Sequence, residues 1–172
     1  MTNLIITNPE IFYKKETQNI ILGEWCYLND LFLDKYKNAK LFDFYHWDNL
    51  EKKKSDFEYL LNLSDKTISF FQEELNKHFK LNYSKRFYNI LLYPWLSRYI
   101  FHLYDRWEII TSFSKKYKNV STNLLALNDQ DFIPLDTESA LYQLNTSDWN
   151  HWIFGKIIQN QKKYRSKLCK NT

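Results

Sequence analysis

The fold of this chain is constrained most by short aliphatic runs separated by long stretches of helical periodicity. Leu4-Ile5-Ile6 and Ile20-Ile21-Leu22 are compact β-branched or aliphatic runs of the kind that form buried strands. Leu41 to Tyr45 is bounded like a third strand. Leu124 to Leu127 is a fourth candidate, although a short Leu/Ala run also suits a helix. Between them, Phe57, Leu60, Leu61, Ile68, Phe71 and Leu75 recur at three- and four-residue steps, which predicts a long amphipathic helix from Leu50. Asp48, with Glu51 three residues on, is placed to cap it. A second helical segment spans Ser84 to about Tyr117, where Pro94 is expected to kink or divide it. A last helix is expected from near Ser147 to about Tyr164. Strands that alternate with helices predict an α/β domain with a mainly parallel sheet of about four short strands and long helices on its faces.

In such sheets ligands bind beyond the carboxyl ends of the strands. Here those ends deliver polar clusters: Gly23-Glu24-Trp25 after the Ile20 run, His46-Trp47-Asp48 after the Leu41 run, and Asn128-Asp129 after the Leu124 run. If the strands are parallel, the three clusters share one rim. All six tryptophans fall in clusters that also carry acid, amide, imidazole or guanidinium groups. Rigid aromatics beside convergent polar groups suit a pocket for a polar organic ligand, and each ring taken singly also suits a core.

Two glycines and three prolines leave little material for glycine-rich phosphate loops, and no GxGxxG or Walker pattern occurs. A self-contained dinucleotide or ATP site is therefore not expected. Cys26 and Cys169 form no CxxC pair, and with four histidines no structural zinc site is expected. At 172 residues the chain suits one domain, read as residues 1–161 followed by a basic tail at 162–172. That tail is a solvated helix end, or a contact for anionic lipid head groups or nucleic acid. The net charge of +4 is spread among acids, which disfavours nucleic acid as a partner. No signal-peptide pattern opens the chain and its apolar stretches are too short to span a bilayer, so a cytoplasmic location is expected.

Glu24 could accept hydrogen bonds from sugar hydroxyls or act as a base, or be a surface carboxylate. His46 could be a general acid or base, or a structural histidine. Gly23 permits a close approach of backbone to a ligand or a helix. Arg98, His102 and Asp105 share one helical face, with Arg106 one turn beyond His102, and an arginine fork there suits a phosphate or carboxylate. Asp148, Asn150 and His151 open the last helix, where such side chains cap free N–H groups or help bind an anion.

The ordered set LGEWC (Leu22 to Cys26), YHWD (Tyr45 to Asp48), PWL (Pro94 to Leu96), YDRW (Tyr104 to Trp107) and DWNHW (Asp148 to Trp152) resembles the N-terminal part of the leptospiral-type transferases of bacterial surface-polysaccharide loci. The similarity runs from about Leu4 to Gln161. It implies a Rossmann-like domain, one half of a two-domain glycosyltransferase-B-like architecture, acting on the acceptor side of a glycosyltransferase-like reaction. Its family-matching positions include Gly23, Glu24, Trp25, His46, Trp47, Asp48, Arg86, Asp105, Arg106, Asn150 and His151. On that reading Glu24 or His46 handles the acceptor proton, and Arg86 with Arg106 holds phosphate or carboxylate charge. A nucleotide sugar and a saccharide acceptor are the implied substrates, with no resident cofactor and no metal. The sequence departs from the family pattern at Asn89, in place of an arginine, and at Tyr93, in place of a glycine. The alternative is a truncated, non-catalytic fragment or binding module that keeps the pocket without the donor half. An aromatic surplus along Tyr93 to Trp107 and at the start of the Asp148 helix predicts self-association, or a partner that supplies the missing half.

Overall fold

The computed structural model of the chain describes residues 2–7, 9–26, 36, 38–161 and 165–169. Five strands form one sheet: β1 (Thr2–Ile5), β2 (Gln18–Ile21), β3 (Ala39–Leu41), β4 (Val120–Leu125) and β5 (Arg165–Cys169). They lie in the order β3-β2-β1-β4-β5 and every pair is parallel. This is a Rossmann-like order, in which the chain reverses direction across the sheet between β1 and β4. Leu4 pairs with Ile20 on one side and with Thr122 on the other.

Period-two alternation sends neighbouring strand residues to opposite faces. Leu4, Ile6, Ile20, Leu22 and Leu124 meet Ile109, Ile110 and Phe113 of one helix and Phe154 and Ile158 of another. Ile5 and Ile21 pack with Phe12 and Cys26 in a separate cluster. The helices are α1 (Pro9–Phe12), α2 (Leu50–Phe79), α3 (Lys85–Lys116), α4 (Thr137–Gln143) and α5 (Ser147–Gln161).

At their amino ends the strands are polar, and most of those groups are paired within the protein, Asn3 Oδ1 being the exception. Asn3 and Asn19 are buried side by side. Asn3 Nδ2 donates to Asn19 Oδ1 at 2.8 Å, and Asn19 donates onward to the Lys14 carbonyl. The basic segment expected to be a tail carries β5, which extends the sheet beyond β4.

Between β3 and β4, α2 and α3 form an antiparallel hairpin. Asn49, and not Asp48, caps α2: its side chain accepts from the Lys52 N–H. Pro94 lies within α3, which continues from Lys85 to Lys116 without division. The outer hairpin has its own core of Ile68, Tyr88 and Leu96, with Leu75, Leu92 and Trp95 packed against it. Among the described residues no helix is long and apolar enough to cross a membrane.

Candidate active site

Because every strand is parallel, the segments after β1, β2, β3 and β4 emerge at one edge of the sheet. After β2, Gly23 leads into a short 3-10 turn, Glu24–Cys26. A Cβ on Gly23 would sit 2.0 Å from the Trp25 ring, so glycine is required for the indole to fold back over the turn. Trp25 Nε1 donates to the Ile6 carbonyl at 3.0 Å, and the ring stacks on Phe154 at 5.8 Å. The indole is thereby tied to the end of β1 and to α5, and it is still 39% exposed. Glu24 is exposed beside it.

Gly23, Glu24, Trp25, Asp43, Phe44 and Tyr45 line a cavity of about 290 Å³ between the ends of β2 and β3. Tyr45 also borders a second cavity of about 240 Å³, which Trp47, His102, Asp105 and Arg106 line. Phe42, Asp43 and Phe44 are shared with a third of about 670 Å³ that Lys52, Lys115 and Lys116 also line. The first shares Tyr45 with the second and Phe42, Asp43 and Phe44 with the third, so all three lie along the Phe42–Tyr45 segment of the rim as a groove in three parts.

Behind the groove lies a buried polar network. His46 has no exposed side-chain surface, and its Nε2 bonds Asp105 Oδ1 at 2.9 Å. Its Nδ1 is buried without a hydrogen-bond partner, 3.8 Å from Asp56 Oδ2. Asp105 also pairs with the Arg106 guanidinium. Arg106 Nε donates to Asn150 Oδ1 at 2.8 Å, and its guanidinium lies over the rings of Trp25 and Phe154. Asn150 is fixed in turn by donating to the Leu144 and Thr146 carbonyls. Arg106 is thus held from two sides with its plane against aromatic rings, which leaves little conformational entropy to lose on meeting an anion.

A second part of the network centres on Lys52, whose Nζ lies 2.9 Å from Asp56 and 3.0 Å from Glu108. Burial disfavours the Lys52 ammonium, but its bonds to Asp56, Glu108 and Tyr104 outweigh that and raise its pKa. Burial likewise pushes the Asp56 carboxyl up; hydrogen bonds from Lys52, Tyr104 and Trp47 overcome it, and the net shift is downward. Trp47 Nε1 donates to Asp56 at 3.0 Å. The Tyr104 phenol is pushed up to about 12, by burial first and by Asp56 next.

His151 has a different role. Its Nε2 accepts from the Leu125 N–H at 2.9 Å, so the ring proton sits on Nδ1, 2.6 Å from Thr7 Oγ1. The ring stacks on Phe12 at 5.1 Å. Burial lowers its pKa to about 4, against a smaller upward pull from Asp148. His151 is a neutral strut joining the ends of β1 and β4, the place where the strand order reverses. Cys26 is buried nearby with its thiol pushed up to about 12 by desolvation, which makes it unreactive.

The structure therefore brings together Gly23, Glu24, Trp25, His46, Trp47, Asp105, Arg106 and Asn150 at or just behind one groove. Four expected site residues lie apart from it. Asp48 is exposed and lines neither the Glu24 cavity nor the Arg106 cavity. His151 has both ring nitrogens engaged by the protein. Asp129 pairs with Lys156 at 2.7 Å and accepts from Trp152 Nε1, away from the groove. Arg86 is exposed near the start of α3, ~30 Å along the helix from Arg106 at the α-helical rise. It cannot share one anion with Arg106 in this chain. Conversely, Asp43, Lys52 and Glu108 line the cavities, and Asp56 joins the network behind them, though none was singled out from sequence. The i,i+4 pair Lys52–Asp56 and the i,i+3 pair Asp105–Glu108 were the available signals. Among the described residues no group of three or more His, Cys, Asp or Glu is placed to hold a metal ion.

The comparison with protein families matches residues 2–172 to the LIC12162 family transferase. The chain belongs to this family. No curated protein and no solved structure matches it. The match takes in every strand and helix described above, so the groove, the His46–Asp105–Arg106 network and the α2–α3 hairpin all fall within the LIC12162 family region.

Proposed function

We propose that this transferase binds a saccharide acceptor in the rim groove, with Glu24 accepting the proton of the attacking hydroxyl. The observation that carries this reading is the pairing of Glu24, exposed, with the partly exposed face of Trp25 in one cavity. Apolar sugar faces pack on indole rings, and the hydroxyl edges need acceptors such as Glu24 and Asp43. In the reaction envisaged, the acceptor oxygen gives its proton to Glu24 and bonds to the anomeric carbon of a nucleotide sugar. The bond from that carbon to the diphosphate oxygen breaks, and the leaving group keeps the electron pair. Arg106, anchored by Asp105 and Asn150, offers positive charge to an anionic group in the neighbouring cavity.

His46 is the other base considered, and its complete burial argues against contact with substrate. It is assigned as a positioning residue that orients Asp105 and, through it, Arg106. This chain is then the acceptor-side part of a glycosyltransferase-like enzyme of surface-polysaccharide synthesis in the cytoplasm. On this reading a second domain binds the nucleotide-sugar donor, and no resident cofactor is invoked. The test is transfer from a panel of nucleotide sugars to saccharide acceptors by an enzyme that carries both this region and the donor-binding domain, with wild type and Glu24→Gln compared. Wild-type transfer that is lost in Glu24→Gln supports the reading. Full turnover by Glu24→Gln contradicts it.

A further inference from the structure

The tip of the α2–α3 hairpin carries a surface that the transferase reading does not use. From Lys77 to Phe87 the chain reads Lys-His-Phe-Lys-Leu-Asn-Tyr-Ser-Lys-Arg-Phe, with four cations and no acid. That local charge equals the net +4 of the whole chain, so the remainder is balanced. Apolar groups interleave with the cations: Phe79 is 60% exposed, Leu81 41%, Tyr83 45% and Phe87 40%. Only Lys85 is paired with an acid there among the described residues, to Asp65 at 2.6 Å. The next acids along α2 are Glu73 and Glu74, a turn below Lys77.

The tip is rigid and prominent. Ile109, where α3 meets the sheet core, lies ~36 Å from Lys85 along the helix axis. The turn is pinned by Asn76. Its carbonyl accepts from the Lys80 and Leu81 N–H groups, its Oδ1 accepts from the Tyr83 N–H and the Tyr88 hydroxyl, and its Nδ2 donates to the Tyr83 carbonyl. The N–H groups of Lys80, Leu81 and Tyr83 are thus tied to Asn76, while the side chains of Phe79, Lys80, Leu81 and Tyr83 are exposed. Lys80 takes the left-handed conformation at φ 55°, where glycine would be less strained, so a cation sits at the apex against the local backbone preference.

We propose that this tip docks on an anionic lipid bilayer, with Phe79 and Leu81 entering the head-group boundary and Lys77, Lys80 and Arg86 meeting the lipid charge. Interleaved cations and exposed apolar side chains on a small convex tip fit a bilayer surface. A nucleic-acid strand is tracked by a cationic groove, whereas this tip is convex, and its exposed rings alone make no such track. The inference is independent of the acceptor reading, because the residues involved lie outside the groove.

The test is co-sedimentation of the 172-residue chain with sucrose-loaded vesicles of phosphatidylcholine, alone or mixed with phosphatidylglycerol. Binding is expected to the mixed vesicles only, and to weaken as salt rises. Lys77→Gln with Lys80→Gly removes two charges and leaves the turn geometry favoured. It should weaken binding about fivefold per lysine, or about 25-fold together. Phe79→Ser with Leu81→Ser, charges intact, should weaken binding at least as much. Circular dichroism of each variant is expected to match wild type, since all four side chains are exposed. Failure to pellet with anionic vesicles overturns the proposal. So does equal binding to neutral vesicles, or tighter binding to a single-stranded oligonucleotide than to either vesicle.

Discussion

Substituting His151 with glutamine should remove a defined part of the chain's acid sensitivity. The imidazole is 2% exposed, accepts from the Leu125 N–H and stacks on Phe12. Burial sets its folded pKa at about 4, against 6.5 for the ordinary side chain. Between those values the unfolded chain binds the extra proton and the folded chain does not. The contribution is therefore complete above the unfolded pKa and is lost as pH falls through the folded one. Linkage gives a loss of about 2 kcal/mol between pH 7 and pH 5, rising to about 3 kcal/mol by pH 4. Urea unfolding of wild type and His151→Gln across this range isolates the contribution, because the other titrating groups cancel in the difference. At pH 7 the variant should be less stable by about 1–3 kcal/mol, the cost of leaving the Leu125 N–H poorly satisfied. As pH falls, the two stabilities should converge. A constant gap from pH 7 to pH 5 would refute the neutral-strut assignment.

Gly23→Ala places a methyl inside the Trp25 ring and should cost about 1–3 kcal/mol as the indole is displaced. An unchanged melting temperature and unchanged tryptophan emission would contradict the packing described. Glu24→Gln should reduce transfer by about 100-fold or more, the usual worth of a general base, with stability unchanged. His46→Gln should reduce transfer less than Glu24→Gln and should raise the KM for an anionic substrate, because its effect passes through Asp105 and Arg106. Comparable kcat losses in the two variants, with KM unchanged, would return His46 to a direct role.

The sheet was legible because its strands end in aliphatic runs, and those runs located β1, β2 and β4 with a shift toward their carboxyl ends. The shift has a physical cause. The amino-terminal halves hold Asn3, Asn19 and Thr122, buried polar residues hydrogen-bonded to neighbours, and hydrophobicity alone passes over them. β3 was placed late for a related reason. Ala39 and Lys40 form the strand, whereas Phe42 to Tyr45, the more aromatic stretch, leaves the sheet to wall the groove. β5 was hidden by charge, since an edge strand can carry lysines that read as a solvated tail. The cap of α2 fell one residue from its expected place because Asn49 offers the same side-chain oxygen as Asp48. The position of Glu24 and Trp25 at the rim followed from the sequence once the strands were parallel, whereas Arg106 was legible only as part of a helix face. Side-chain partners such as Thr7 for His151, Asp56 for Trp47 and Asn150 for Arg106 are distant in sequence or polar groups within a helix, and only the fold pairs them. Of the expected apolar surplus, Trp107 is 45% exposed, and further exposed apolar side chains lie toward the hairpin tip. Trp149 is buried at 2%, while Phe70, Phe79, Ile90 and Leu91 on the hairpin are more than half exposed.

The six indole N–H signals of the chain offer the most direct test of the acceptor groove. Titration of a ¹⁵N-labelled chain with neutral oligosaccharides should move the Trp25 indole signal first and the Trp47 signal with it, because both rings border the groove. The Trp149 signal, from a ring buried against Leu144 and Ile153, should stay in place. Trp25→Phe assigns the key resonance and should weaken the titration. Saturable shifts at Trp25 and Trp47 are the result the account predicts. A titration that leaves Trp25 unmoved, or that moves Trp149 and Trp152 instead, would contradict it.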